Sequence, residues 1–264
     1  MQGTSPLINV MTAAARKAAR GLLRDFGEVE QLQVSKKGPG DFVSAADHRV
    51  EKTLVAELKK ARPDYGFILE EGGILPGADE TVNWIIDPLD GTTNFLHGIP
   101  HFAISIGLVK DGEPWAGVIY QPLTDEMYWA EKGKGSFANS RRLRVSARRK
   151  LDESVLATGI PHQGRPEHGR FLRQLTRAME QTAGIRRFGA ASLDLAWVAA
   201  GRCDGFWEIG LKPWDIAAGI ILVREAGGYV SDLDGSGNML SSGNLMASND
   251  QLHVPLGTLL RTAD

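Results

Sequence analysis

The stretch WIIDPLDGTTNF, residues 84–95, opens as an apolar run and then sets two carboxylates, Asp87 and Asp90, around Pro88. An apolar run bounded by turn formers predicts a buried strand that stops on Asp87, with Pro88 beginning a turn. Short strands that end in acids present them at a sheet edge, where loops meet ligands. Glu70, closing the apolar run GFILE at 66–70, fits the same placement. Pro88 stiffens the turn and Gly91 lets backbone approach a ligand, so two acids three residues apart can converge on one centre. With a backbone carbonyl such as that of Leu89 they make an all-oxygen donor set that suits Mg²⁺. Asp-Pro-x-Asp-Gly-Thr is equally a run of turn formers, so an ordinary turn is the competing reading. Gly91-Thr92-Thr93 favours chemistry, because free N–H groups at a helix start cradle phosphate.

Two further acids carry two readings each. Asp215 follows Pro213 and Trp214 just before IAAGIILV, as a helix N-cap or as a ligand. Asp47 is a first-turn acid complementing a helix dipole, or part of the site.

Around these motifs the chain has 264 residues, 42% hydrophobic and 23% charged, with a formal charge of -2. That composition excludes general disorder and gives no global basic field for nucleic acid or anionic membrane. The single cysteine, Cys203, has no disulfide partner in the chain, which fits a reducing compartment. Residues 5–27 predict an amphipathic helix capped by Ser5-Pro6, and no segment reaches the ~18 apolar residues of a spanning helix. The expected location is cytoplasmic.

A second helix is expected within 41–63, and two strands meeting at Asp111-Gly112 within 101–122. Further strands are expected at 126–133 and 154–160, and a helix between Pro166 and Gly184. Helices at 192–201 and 213–228 flank a strand at 203–210, with last strands at 229–232 and 244–249. The pattern predicts layered α/β packing in one unit, with a soft division into lobes of about 1–148 and 149–264.

The motifs DFVSAAD (41–47), FILEE (67–71), WIIDPLDGTTNFLHGIPHFAISIGLV (84–109) and GFWEIGLKPWDIAAGIILVREAGG (205–228) together resemble the inositol monophosphatase family. The resemblance spans nearly the whole chain and implies the αβαβα sandwich of the sugar phosphatases, as a homodimer. It implies that Glu70, Asp87 and the Leu89 carbonyl hold one Mg²⁺, that Asp87, Asp90 and Asp215 hold a second, and that Glu70 lies near a third. Gly91 and Thr92 match the phosphate-holding turn, and Asp47, Thr92 and Glu70 match the group that orients and deprotonates the attacking water. Glu208 and the Ala191 backbone match contacts to substrate hydroxyls. Asp194 falls where the family often has a polar substrate-side residue, and Lys36 matches a lysine on the loop covering the metals.

The implied reaction is Mg²⁺-dependent, lithium-sensitive hydrolysis of myo-inositol 1-phosphate without a phosphoenzyme. Phosphatases acting on fructose 1,6-bisphosphate, histidinol phosphate or 3'-phosphoadenosine 5'-phosphate share the same acids. Neither a G-x-S-x-G elbow nor a Walker A sequence competes. DLDGSGN (232–238) has Gly243 where a calcium loop needs Glu, so it reads as a hairpin turn. His97 and His101 are separated by Gly98 and Pro100, against a shared helical face. RRLRVSARRK (141–150) carries six basic residues and no acid. It reads as a solvated loop that draws in anionic substrate or, alternatively, as a patch for RNA or an acidic protein partner.

Overall fold

The computed structural model describes residues 4–28, 34–38, 41–162, 164 and 166–262, with 34–38 and 41–44 as backbone alone. Helix α1 (Pro6–Gly27) starts as the sequence predicts: Ser5 Oγ accepts the Ile8 amide at 3.2 Å and Pro6 sits in the first turn. Ile8, Met11, Ala15, Ala18 and Leu22 bury one stripe of it. The second helix, α2 (Ala45–Ala61), begins four residues later than Asp41. Asp41–Ser44 is instead a strand, β2, paired antiparallel with β1 (Val34–Gly38). Phe42 and Val43 carry β propensity, and partner β1 was not read from the sequence.

Strands β3 (Tyr65–Leu69), β4 (Gly73–Leu75) and β5 (Asp79–Asp90) lead to a short helix, α3 (Thr92–Leu96). Then come β6 (Ala103–Lys110), β7 (Glu113–Gln121), β8 (Glu126–Glu131), β9 (Gly135–Ala138) and β10 (Arg141–Arg142). They form an eight-stranded sheet ordered β10-β9-β8-β7-β6-β5-β3-β4, antiparallel except between β3 and β5. Asp111 (φ 53°) and Gly112 (φ 79°) make the expected turn between β6 and β7 with the paired positive φ that a twisted hairpin favours.

The strand that carries the acids does not stop at Asp87. It runs on to Asp90, with Asp87 opposite Ser105 and Asp90 opposite Ala103. Pro88 and Leu89 therefore stand against Ile104 alone, a β-bulge, where a proline costs no ladder bond. Strict alternation would put residues 87 and 90 on opposite faces of the sheet. The extra residue returns both to one face, because their partners are two apart.

The second half gives β11 (Val155–Thr158), α4 (His168–Gln181), β12 (Gly184–Arg186), α5 (Ala191–Ala199), β13 (Gly205–Glu208) and α6 (Pro213–Glu225). It closes with β14 (Tyr229–Ser231), α7 (Met239–Ser242), β15 (Leu245–Ser248) and α8 (Asp250–Arg261). The second sheet is ordered β12-β11-β13-β15-β14. DLDGSGN turns tightly, with the Gly235 amide on the Asp232 carbonyl at 2.9 Å. It is no simple hairpin turn, however, since α7 lies between it and β15. Helix α8 was not anticipated.

Helices α1 and α2 cover one face of the large sheet, α5 and α6 lie between the sheets, and α4 and α8 cover the far face of the small one. This is the expected αβαβα sandwich. Gly107 and Gly117 pair across β6 and β7 beneath α6. A Cβ on Gly107 would lie 2.8 Å from Ala217 Cβ, and one on Gly117 would lie 2.6 Å from the Ala218 carbonyl. The bare strands let α6 seat directly on the sheet, which brings its N-terminal turn, with Asp215, to the bulged end of β5. Ile85, Val109 and Ala217 seal that contact. Among the described residues no helix is long and apolar enough to cross a membrane.

Candidate active site

Three elements deliver the four predicted acids to one place. Glu70 follows β3, Asp87 and Asp90 flank the β5 bulge, and Asp215 sits in the first turn of α6. Asp215 is not the N-cap. Lys212 holds that position, and Asp215, three residues on, accepts the Lys212 amide at 2.7 Å. Asp87 Oδ1 accepts the Leu89 amide at 2.9 Å, and Asp90 Oδ2 accepts the Ser192 amide at 2.7 Å and the Ser192 hydroxyl. Each of these three carboxylates is thus tied to backbone, Asp90 also through the Ala191 and Leu193 amides, which fixes its direction.

The acids are too close for all to be charged comfortably. Burial, then the charges of Glu70, Asp90 and Asp215, pushes Asp87 well above the usual carboxylate range. Burial and Asp90 do the same to Asp215, against the opposing Lys212 amide. Asp90 is raised by burial and held back by its Ser192 bonds. Asp87 also shares a hydrogen bond with Glu70. Two carboxylates can do that only with a proton between them, and a divalent cation can take that proton's place. Among the described residues no group of three or more His, Cys, Asp or Glu side chains is arranged to hold a metal ion as it stands. The fit to a hard cation rests on the all-oxygen donors and their mutual repulsion.

Thr92 opens α3 behind Gly91, whose φ of 90° is left-handed and whose added Cβ would lie 3.0 Å from the His101 carbonyl. Thr92 Oγ1 lies 2.9 Å from the Leu89 carbonyl and 3.4 Å from Asp47 Oδ1, so the Leu89 oxygen also accepts this hydroxyl. Asp47 is buried in the first turn of α2. A cavity of about 150 Å³ is lined by Asp90, Gly91, Thr92, Ala191, Asp194, Glu208 and Asp215, whereas Asp47, Glu70, Asp87 and Leu89 do not line it. Asp194 is 1% exposed, and its Oδ1 has no hydrogen-bond partner among the described residues. Burial, then Glu208 and Asp90, drives its carboxyl well upward. Lys36 falls in β1 and its side chain lies outside the described residues. His97 caps the end of α3 while His101 packs on Phe188 and Trp197, so they share no helix face. Sequence reasoning missed Ser192 and the Lys212 amide, and also Ile160, His162 and Arg187, which line the cavity.

A layered αβαβα fold with buried acids converging on a polar cavity defines a class of phosphoric monoester hydrolases. The chain belongs to the inositol monophosphatase family, whose model matches residues 4–263. It is 59% identical to the inositol-1-monophosphatase of Mesorhizobium japonicum, over 96% of this chain and 95% of that protein. It is 43% identical to the Nus factor SuhB of Escherichia coli, over 94% and 92%. The crystal structure of the extragenic suppressor protein suhB from Bartonella henselae superposes with a TM-score of 0.95 at 54% identity, covering 97% and 99%. The family is generally metal-dependent.

Proposed function

We propose that the chain hydrolyses a phosphate monoester, myo-inositol 1-phosphate foremost, with two to three Mg²⁺ per site and no phosphoenzyme. The observation that carries this reading is the meeting of Glu70, Asp87, Asp90 and Asp215 from three elements, close enough that Glu70, Asp90 and Asp215 all raise the proton affinity of Asp87. Glu70, Asp87 and the Leu89 carbonyl would hold one ion, Asp87, Asp90 and Asp215 a second, with Glu70 near a third. When bound, Mg²⁺ supplies Lewis acidity, offsetting phosphoryl charge and lowering the pKa of water.

The chain's own groups do the rest. Glu70 and the Asp47–Thr92 pair orient the attacking water and take its proton. Gly91 and Thr92 offer the first amides of α3, which have no intrahelical acceptor, to the phosphate oxygens. Glu208 and the Ala191 backbone hold substrate hydroxyls. Asp194 lies on the substrate side of the cavity, its carboxyl pushed upward by burial and then by Glu208 and Asp90. Lys36 would belong to the loop over the ions, and lithium sensitivity is expected.

Initial rates on myo-inositol 1-phosphate, fructose 1,6-bisphosphate, histidinol phosphate and 3'-phosphoadenosine 5'-phosphate test the substrate. The highest kcat/KM is expected on the inositol ester, and a preference for another sinks that assignment. The homodimer, the cytoplasmic location and the two-lobed unit (about 1–148 and 149–264) belong to the same proposal. Light scattering on eluting protein tests the first.

A second reading rests on the basic loop. Arg141, Arg142, Arg144, Arg148, Arg149 and Lys150 are all exposed, while Leu143 is buried. Asn249 Nδ2 donates to the Ser146 and Arg148 carbonyls at 2.8 Å each, so the charges are presented on pinned backbone. Such a surface fits RNA or an acidic protein partner, alongside catalysis. Replacing Arg141, Arg142, Arg148 and Arg149 by Ala should abolish salt-sensitive RNA or protein capture without changing kcat. Absence of capture by the wild type removes this reading.

A further inference from the structure

Glu51 has no part in the chemistry described so far, yet it is only 7% exposed and lies one helical turn after Asp47 on α2. A carboxylate that deep needs hydrogen-bond partners. It finds them on backbone: Glu51 Oε2 accepts the Glu71 amide at 2.9 Å, and the Gly72 amide bonds to Glu51 as well. These amides belong to the two residues that immediately follow Glu70. The turn is shaped to receive the carboxylate, since a Cβ on Gly72 would lie 3.0 Å from Glu51 Oε1 and 3.0 Å from Leu69 Cδ1. On the other side, the Glu70 amide donates to the Ile86 carbonyl at 3.3 Å, tying it to β5 just before Asp87. Glu70 therefore sits between a sheet bond at its own amide and a charge-assisted clamp on the next two amides.

Asp47 and Glu51, four residues apart, share one face of α2. Asp47 addresses Thr92, and Glu51 addresses the turn of Glu70. A single turn of a helix outside the cavity thus reaches both parts of the predicted water-activating group.

We infer that Glu51 is a positioning residue, which fixes the direction of the Glu70 carboxylate by clamping the Glu71 and Gly72 amides. It touches neither substrate nor reacting atoms and acts only through that turn. The inference rests on the proposed role of Glu70 and adds a residue to it.

Glu51→Gln, Glu51→Ala and Gly72→Ala separate this role from mere packing. Gln retains one carbonyl acceptor, Ala removes the clamp, and the added methyl at Gly72 pushes on it from the opposite side. For Glu51→Ala, kcat should fall about 10- to 100-fold and the Mg²⁺ concentration for half-maximal rate should rise about tenfold, the range for groups that orient a ligand. KM for the phosphate ester should move little. In the metal-free protein, amide hydrogen exchange at Glu71 and Gly72 should accelerate at least about tenfold, against little change elsewhere in α2 and β3, as expected of a local opening. Glu51→Gln should fall between wild type and Glu51→Ala on each readout, and Gly72→Ala should shift them in the same direction. The inference is overturned if exchange at the two amides is unaltered in Glu51→Ala. It is equally overturned if kcat falls only in proportion to the folded fraction, with Mg²⁺ dependence unchanged. Should the wild type itself release no phosphate, the proposed function fails, and Glu51 as a positioning residue for it falls too. Faster exchange would then establish only a structural clamp.

Discussion

Asp90 raises the proton affinity of both Asp87 and Asp215, so its charge is a liability to the metal-free fold. Asp90→Asn removes that charge and keeps an oxygen for Ser192. Without Mg²⁺ the variant should melt at or above the wild-type temperature, by up to about 1 kcal/mol. The wild type should gain about 2–3 kcal/mol from Mg²⁺ at a hundredfold excess over Kd, and the variant little of it. Differential scanning fluorimetry with and without Mg²⁺ checks both. His101 offers a pH test away from the acids. Burial lowers its pKa from 6.5 to about 4, and Nε2 has no hydrogen-bond partner among the described residues. Between those values the unfolded chain binds a proton that the folded one refuses, so this contribution to stability is full above pH 6.5 and is lost as pH falls toward 4. Because the ring is only partly buried, the expected loss is on the order of 2 kcal/mol. His101→Phe should flatten that part of the urea-midpoint profile, and an unchanged acid slope would contradict the assignment. The acids themselves were legible in the sequence because strand-end carboxylates beside Pro and Gly are a local pattern. Ser192 was not, since it meets Asp90 across 102 residues of chain.

The bulge in β5 and the seat of α6 do at the element scale what no single acid can. Pro88 suggested a strand end, since proline cannot donate to a ladder, but a bulge needs no donor there. Helix α8 escaped notice for a related reason: Pro255 and Gly257 interrupt its pattern, although Asn249 caps it by accepting the Leu252 amide at 2.9 Å. The paired positive φ of Asp111-Gly112 and the Ser5-Pro6 cap were readable because their signals lie within a few residues. At Gly117 the structure makes a prediction that the sequence does not. Gly117→Ala puts a methyl against the Ala218 carbonyl and should lift α6, costing about 1–3 kcal/mol. Asp215 moves with α6, so kcat should fall more than the loss of folded protein explains. Turnover normalised to folded fraction measures the difference, and a purely proportional loss would show that the seat does not position Asp215.

Across the whole molecule, the site draws Asp47 and the acids of β3 and β5 from one side of the large sheet's end, and Ala191, Glu208 and Asp215 from the second half of the chain. Neither half contains the complete donor set, so the five-layer packing is itself part of the site. The family was legible because its acids recur in four motifs in order, while cavity-lining residues such as Arg187 and Ile160 were not, because only folding brings them together. If this acid cluster holds Mg²⁺ and thereby hydrolyses a phosphate ester, phosphate release from myo-inositol 1-phosphate by chelator-treated protein, before and after Mg²⁺ is restored, will show it for wild type and Asp90→Asn. Turnover is expected in the wild type only with Mg²⁺, with a loss of about 100-fold or more in the variant, as removal of a charged group from such a site entails. Equal turnover by the two folded proteins, or undiminished turnover in chelator, would contradict it.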